Sequence, residues 1–279
     1  MNFDPRITPA RSDLAAAHLR GKVQAGQFVE GTEQEVIVGI ASVRNGPSHG
    51  ATQVTEALRG ERVTIYETDD EGWAWGQLAS DKYVGWLPSA ALLAPAAAPT
   101  HKVTALRTFE FPGPSIKLPP MDALPLGAQV AVAGEQESFA VLTSGGYVPK
   151  THLAALSAHE TDFVVVAERF AGTPYLWGGK SSLGIDCSGL VQVALTACGI
   201  ACPRDSDMQE AALGKPVSLA GLQAGDLIFW KGHVAIARSR NSMIHANAFH
   251  MAVTTEPVGE ALARIGATGS QVTSVRRLK

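Results

Sequence analysis

Two Gly-Pro-Ser turns, at residues 46–48 and 113–115, stand 67 residues apart, and the glycines Gly60 and Gly127 share that offset. Around the first pair run LRGERVTIYE (58–67), WAWGQL (73–78) and YVGWLPSAALL (83–93). Around the second run LPLGAQVAVAGE (124–135), FAVL (139–142) and GYVPKTHLAAL (146–156). Short alternating runs with turn residues between them, repeated at a fixed period, predict two small β-barrels in tandem, over residues 31–95 and 101–156. The Pro/Ala-rich APAAAPT at 94–100 reads as a short semi-rigid spacer between them. Residues 1–30, ahead of the first copy, are expected to form a helical segment.

The remainder, residues 157–279, changes character. PYLWGGKSSLGIDCSGL (174–190) is a glycine-rich turn that runs into an apolar helix headed by Cys187. A helix N-terminus carries unpaired N–H groups and a partial positive charge, which favour the nucleophilic thiolate over the thiol. Val191, Ala194 and Cys198 fall on one helical line with Cys187, so this helix, read as 187–198 and stopped by Gly199, faces a core. A helix over about 159–171 precedes it. GHVAIA (232–237) and MIHANA (243–248) follow as strand-like runs, each with one histidine, joined through a hairpin at 238–242. Pro257 and Gly266 bracket a further helix. Helices followed by antiparallel strands give an α+β domain.

Bulk properties narrow the partners. The 279 residues carry a net charge of −3, so nothing supports a nucleic-acid or anionic-membrane partner. No window reaches the roughly 20 apolar residues of a membrane helix. Three cysteines argue against a disulfide framework, and Cys198 and Cys202, without further ligands, make no metal site. The N-terminus, with Asp4, Arg6, Arg11, Asp13 and Arg20, lacks the apolar core of a secretory signal, and a cytoplasmic location is the expectation.

The order Tyr-Leu-Trp-Gly-Gly, Asp-Cys-Ser-Gly, PRDSDMQ (203–209), GDLIFW (225–230) and the two histidine strands resembles the NlpC-type cysteine peptidases, a papain-like superfamily that cuts bacterial cell-wall peptides. The repeated strands look like bacterial SH3-like domains. The resemblance implies an α+β, papain-like catalytic domain behind two small SH3-like β-barrels. It implies Cys187 as nucleophile, His233 as general base and later acid, and His245 as the group that orients His233, with no cofactor, metal or obligate protein partner.

For substrate, the resemblance points to γ-D-glutamyl-L-diamino acid endopeptidases that release dipeptides from murein tripeptides or longer muropeptides. In that reading the Tyr175 hydroxyl helps to hold an oxyanion. Trp177 is a pocket wall or plain core. Asp205 and Ser206 bind the substrate's free amine or cap a helix. Asp186 and Ser188 line the place of the γ-glutamyl group. Tyr83 of the first barrel clamps the amine with Glu56 or Glu61, between which the sequence does not choose, or is a packing residue. His250 is a bystander and Asp226 a turn residue. Two other functions stay open: an exported peptidoglycan endopeptidase or amidase, and a catalytically dead muropeptide-binding protein.

Overall fold

The computed structural model describes residues 3–278, and the chain falls into two compact units, residues 1–157 and 158–279. In the first unit, residues 32–93 form a seven-stranded antiparallel sheet. Its order is Gln53–Leu58, Ile40–Arg44, Val84–Pro88, Trp73–Leu78, Arg62–Thr68, Thr32–Val36, Leu92–Leu93. Alternate side chains (Val36, Ala41, Val43, Val63, Ile65, Leu78 and Leu87 among them) fill its interior. Each such large aliphatic contributes about 1.5–3 kcal/mol by leaving water.

Residues 101–155 build a smaller set of two- and three-stranded antiparallel sheets around Val103, Leu124, Val130, Leu142 and Val148. The two copies end alike. Val84–Pro88 and Tyr147–Pro149 each run through a proline into one 3-10 turn, Ser89–Ala91 and Lys150–His152, and then a short strand. Gly60 and Gly127, picked out by their shared offset, both take left-handed φ, +80° and +90°. The copies also touch. Gly39 N–H donates to Asp122 Oδ2 at 2.6 Å, Gln129 N–H to the Arg59 carbonyl at 2.8 Å, and Arg59 pairs with buried Glu110.

The expected helix over residues 1–30 is absent from the described part of that segment. Leu14–Ala16 and Gln27–Val29 instead form a parallel two-stranded pair, linked by a 3-10 turn at Ala17–Leu19. Tertiary packing overrides local propensity here. The Arg11 guanidinium lies over the rings of Trp75 and Trp86, 4.4 and 5.0 Å from their centroids, and pairs with Glu67 and Asp13. Leu14 packs with Trp73, Trp75 and Trp86.

In the second unit, α1 (Phe163–Glu168) starts where Asp162 accepts from the N–H groups of Val164 and Val165. It is shorter than the sequence suggests at both ends, because that cap fixes the start and the chain turns from Arg169 toward Gly172. Helix α2 (Cys187–Ala197) is buried on every side over Cys187–Leu195, as a helix at the centre of a domain must be. It ends through Gly199, at φ +75°. A six-stranded antiparallel sheet follows, ordered Lys215–Val217, Val272–Arg277, Asp226–Trp230, His233–Ala237, Ser242–Asn247, Ala252–Pro257. Helix α2 packs on the His233 and His245 strands, and α3 (Ser206–Ala212) packs beside α2. Helix α4 (Val258–Ala267) puts Val258, Ala261, Leu262 and Ile265 onto the sheet. No helix among the described residues is long and apolar enough to cross a membrane.

Candidate active site

Cys187 is the first residue of α2, and Asp186 is its N-cap. One Asp186 oxygen accepts from Gly189 N–H at 2.7 Å and the other from Gly178 N–H at 2.8 Å. That carboxylate therefore ties the glycine-rich turn to the first turn of the helix. Gly189 is required for the fit, since a Cβ there would stand 2.2 Å from the Gly179 carbonyl oxygen.

Arg204, only 1% exposed, completes the arrangement. Its two terminal nitrogens reach the two Asp186 oxygens at 2.9 and 2.7 Å. It also donates to Ser188 Oγ at 2.9 Å and to the Gly179 carbonyl at 3.2 Å. Gln209 holds the loop that delivers Arg204 by donating to the carbonyls of Ser188 and Pro203, both at 2.9 Å. So Asp186 and Ser188, read from the sequence as substrate groups, are engaged with Arg204 in this structure. Arg204 itself had no assigned part, because an arginine in a loop carries no sign of burial.

His233 opens its strand directly after the two-residue turn Lys231-Gly232, opposite Trp230. Its ring lies 5.6 Å from Trp230 and 5.0 Å from His245, centroid to centroid. His233 Nε2 and His245 Nδ1 are 2.8 Å apart. On the far side of His245, Nε2 is 2.6 Å from Glu256 Oε1, and Arg264 of α4 pairs with the same carboxylate oxygen. Glu256 and Arg264 were not found by sequence reasoning. Their signal was register: His245 faces Thr254 across the hairpin, so Glu256, two residues on, shares its face.

The sulfur of Cys187 meets the His233 strand, with the N–H of Val234 favouring its charged form. Even so, the thiol is pushed up to about 12, first by burial and then by the Asp186 carboxylate. The Val234 N–H, the Arg204 charge and the Ser188 N–H pull the other way without overcoming burial. The Ser188 N–H at the start of α2 acts in the direction expected of a helix N-terminus, but burial outweighs it. Burial, followed by the neighbouring His245 and Arg264 charges, lowers His233 to about 3; burial, Arg264 and His250 do the same to His245. Burial is thus the first cause at all three groups, and at each it disfavours the charged form.

Tyr175 lies within reach of the Cys187 and Asp186 charges, and burial before all keeps its phenol protonated well above its ordinary value. It remains a hydrogen-bond donor. Trp177 is 63% exposed and is no core residue. With Leu176 and Leu183 it stands on the glycine-rich turn, while Phe249 and Met251 are exposed on a second turn. The two turns are joined by Tyr175 N–H donating to the Met251 carbonyl at 2.9 Å.

Asp205 occupies the N-cap position of α3 without making a side-chain capping bond, and Ser206 is the first helical residue. Tyr83, 5% exposed, packs within the core of the first barrel beside Leu78 and Leu87, which supports its packing reading. Glu56 is buried in the same unit and Glu61 is half-buried. His250 bonds to Asn247. Asp226 is fully buried against Arg277 at 2.7 Å, a structural role. None of Cys187, Cys198 and Cys202 is in a disulfide.

Residues 172–265 match the NlpC/P60 family, and residues 43–92 match the bacterial dipeptidyl-peptidase Sh3 domain. Dipeptidyl-peptidase 6 of Lysinibacillus sphaericus is 40% identical over 90 residues, 32% of this chain and 33% of that protein. The gamma-D-glutamyl-L-lysine dipeptidyl-peptidase of Bacillus subtilis is 40% identical over 93 residues, 30% of this chain and 31% of that one. The matched part thus spans about a third of these relatives' length. A crystal structure of an NlpC/P60 family protein from Bacillus cereus superposes with a TM-score of 0.74 at 22% identity, over 88% of this chain and 99% of that one. At that identity the likeness is one of fold.

Proposed function

For a chain that joins a bacterial dipeptidyl-peptidase SH3 domain to an NlpC/P60 domain of papain-like fold, we propose a cysteine peptidase that hydrolyses the γ-D-glutamyl–diamino acid bond of murein peptides. The observation that carries this reading is the thiol of Cys187 set against the strand that holds the 2.8 Å His233–His245 pair. Because His233 Nε2 is engaged by His245, Nδ1 is the nitrogen left to act on the thiol.

The reaction then proceeds in two halves. His233 takes the proton from Cys187, and the sulfur attacks the γ-carbonyl carbon of D-glutamate. The tetrahedral oxyanion is met by the Tyr175 hydroxyl and the N–H groups of the α2 N-terminus. Its collapse breaks the C–N bond, and the diamino acid leaves with the proton returned by His233. Water, deprotonated by His233, opens the acyl-enzyme and releases L-Ala-D-Glu. Burial disfavours the charged form of both groups in the free chain, so the transfer needs the ion pair to be stabilised as it forms, by the Val234 and Ser188 N–H groups at the sulfur and by Glu256 near the imidazolium.

The preference for a free N-terminal L-alanine is proposed from the two dipeptidyl-peptidase relatives, with Asp205, Ser206 and Trp177 as the residues that meet the substrate. The same proposal puts the reaction in the cytoplasm, on recycled wall fragments. The deciding experiment is a mass-spectrometric digest of L-Ala-γ-D-Glu-meso-diaminopimelate beside its N-acetylated twin. Cleavage of the free-amine peptide alone, lost in Cys187→Ala, is expected. Equal cleavage of both would favour a polymeric wall substrate, and activity confined to extracytoplasmic fractions would reject the recycling role.

A further inference from the structure

Three side chains beyond the thiol form one line across three consecutive antiparallel strands. His233 Nε2 lies 2.8 Å from His245 Nδ1, and His245 Nε2 lies 2.6 Å from Glu256 Oε1. His245 is fully buried in the strand between the other two, and Glu256 is anchored from outside by Arg264 of α4. Hydrogen-bond grammar fixes the protons along such a line. For His233 Nδ1 to accept a proton from Cys187, the proton of the neutral ring must sit on Nε2 and be donated to His245. His245 Nδ1 must then be bare, so the proton of its own ring sits on Nε2. That position needs an acceptor, and the oxygen bonded there is Glu256 Oε1.

We infer that Glu256 is a positioning residue of this site, holding His245 as the Nε2–H tautomer so that His245 can in turn orient His233. The inference rests on the cysteine-peptidase reading for its activity readout, but its structural readout does not. Arg264 keeps the glutamate pointed at the ring through the shared oxygen, and the first turn of α4 follows the Glu256 strand directly. The charged and titratable groups around His245 are His233 on the next strand, Glu256 and Arg264, and His250 in the turn that follows.

The test uses the full chain and three variants: Glu256→Leu, Glu256→Gln and Cys187→Ala. Long-range proton–nitrogen spectra of the histidine rings should give Nε2–H for His245 in the native chain and in Cys187→Ala. In Glu256→Leu that tautomer should be lost or mixed. Turnover of the tripeptide by Glu256→Leu should fall by about 10- to 100-fold in kcat with KM little changed, by analogy with the loss of a partner that orients a metal-ligating histidine. The acidic limb of its kcat/KM profile should move to lower pH, because the Glu256 charge raises His233. Glu256→Gln keeps an oxygen acceptor and should lose less than Glu256→Leu. If the leucine variant does not fold, the tautomer in Glu256→Gln decides, with Nε2–H retained as expected.

An Nδ1–H tautomer of His245 in the native chain would overturn the inference, as would a leucine variant with unchanged tautomer and kcat. Absence of any cleavage by the native chain would instead remove the peptidase reading, leaving the ring spectra to judge Glu256 alone.

Discussion

Asp186 and Arg204 face each other as a two-pronged ion pair, 2.9 and 2.7 Å long, at the start of the helix that carries Cys187. The pair is buried, and its further hydrogen bonds run to the glycine-rich turn, to Ser188 and to the Gly189 N–H. Burying two charges is costly, so such a pair is worth little against an apolar substitute but a great deal against loss of one partner.

Removal of Arg204 alone should therefore strand a buried carboxylate. Arg204→Met is expected to lower unfolding free energy by about 3–5 kcal/mol. Asp186→Asn, which keeps an acceptor for the helix cap, should cost less than Asp186→Ala. Denaturant unfolding followed through the tryptophans checks this. A change in Arg204→Met of no more than about 0.5 kcal/mol, the range of an ordinary surface substitution, would contradict the reading.

Cys187 should alkylate slowly in the free chain at neutral pH. Its rate with iodoacetamide, mapped by mass spectrometry, is expected to climb through pH 9 without a plateau, following a thiol pushed up to about 12. A rate already level between pH 5 and 8 would mean a preformed thiolate–imidazolium pair instead. Substrate-free conditions matter, since a bound peptide changes the solvation of the sulfur.

Acid should weaken the second unit through its histidine pair. Both rings sit near 3 when folded and near 6.5 when free, so the unfolded chain binds more protons between those values. Their contribution is complete above about pH 6.5 and is lost as pH falls toward 3, at up to about 1.4 kcal/mol per pH unit for each ring. A melting series over this window should slope downward with acid in the native chain, and less steeply in His245→Gln. Equal slopes would remove the histidines as the cause.

Trp177 should separate binding from folding. At 63% exposure its loss takes little from the core, and Trp177→Ala is expected to stay within about 0.5 kcal/mol of the native stability. Its effect should fall on KM for the tripeptide. Unchanged kinetics would detach this ring from substrate binding.

Much of the helix that Cys187 heads was legible in the sequence, because its signals are local. A glycine-rich approach, an N-capping aspartate, an apolar run and a stopping glycine all lie within residues 174–199. The two histidine strands were legible for the same reason. What escaped needs distance. Glu256 sits in an ordinary-looking strand, AVTTEP, and acquires its neighbour only once the turn at 248–251 sets the register. Arg204 acquires its meaning only once the loop is folded under α2. Residues 14–29 miss their expected helix because three tryptophans of another part of the chain offer Leu14 and Arg11 a better partner than a helix of their own.

The meander from His233 to Glu256 puts both histidines and the glutamate in one stretch of chain, downstream of Cys187. During synthesis Cys187 therefore leaves the ribosome before any of the three. On the proposed mechanism, catalysis waits until that downstream stretch has been made and its strands have paired, whatever part of the second unit has formed already.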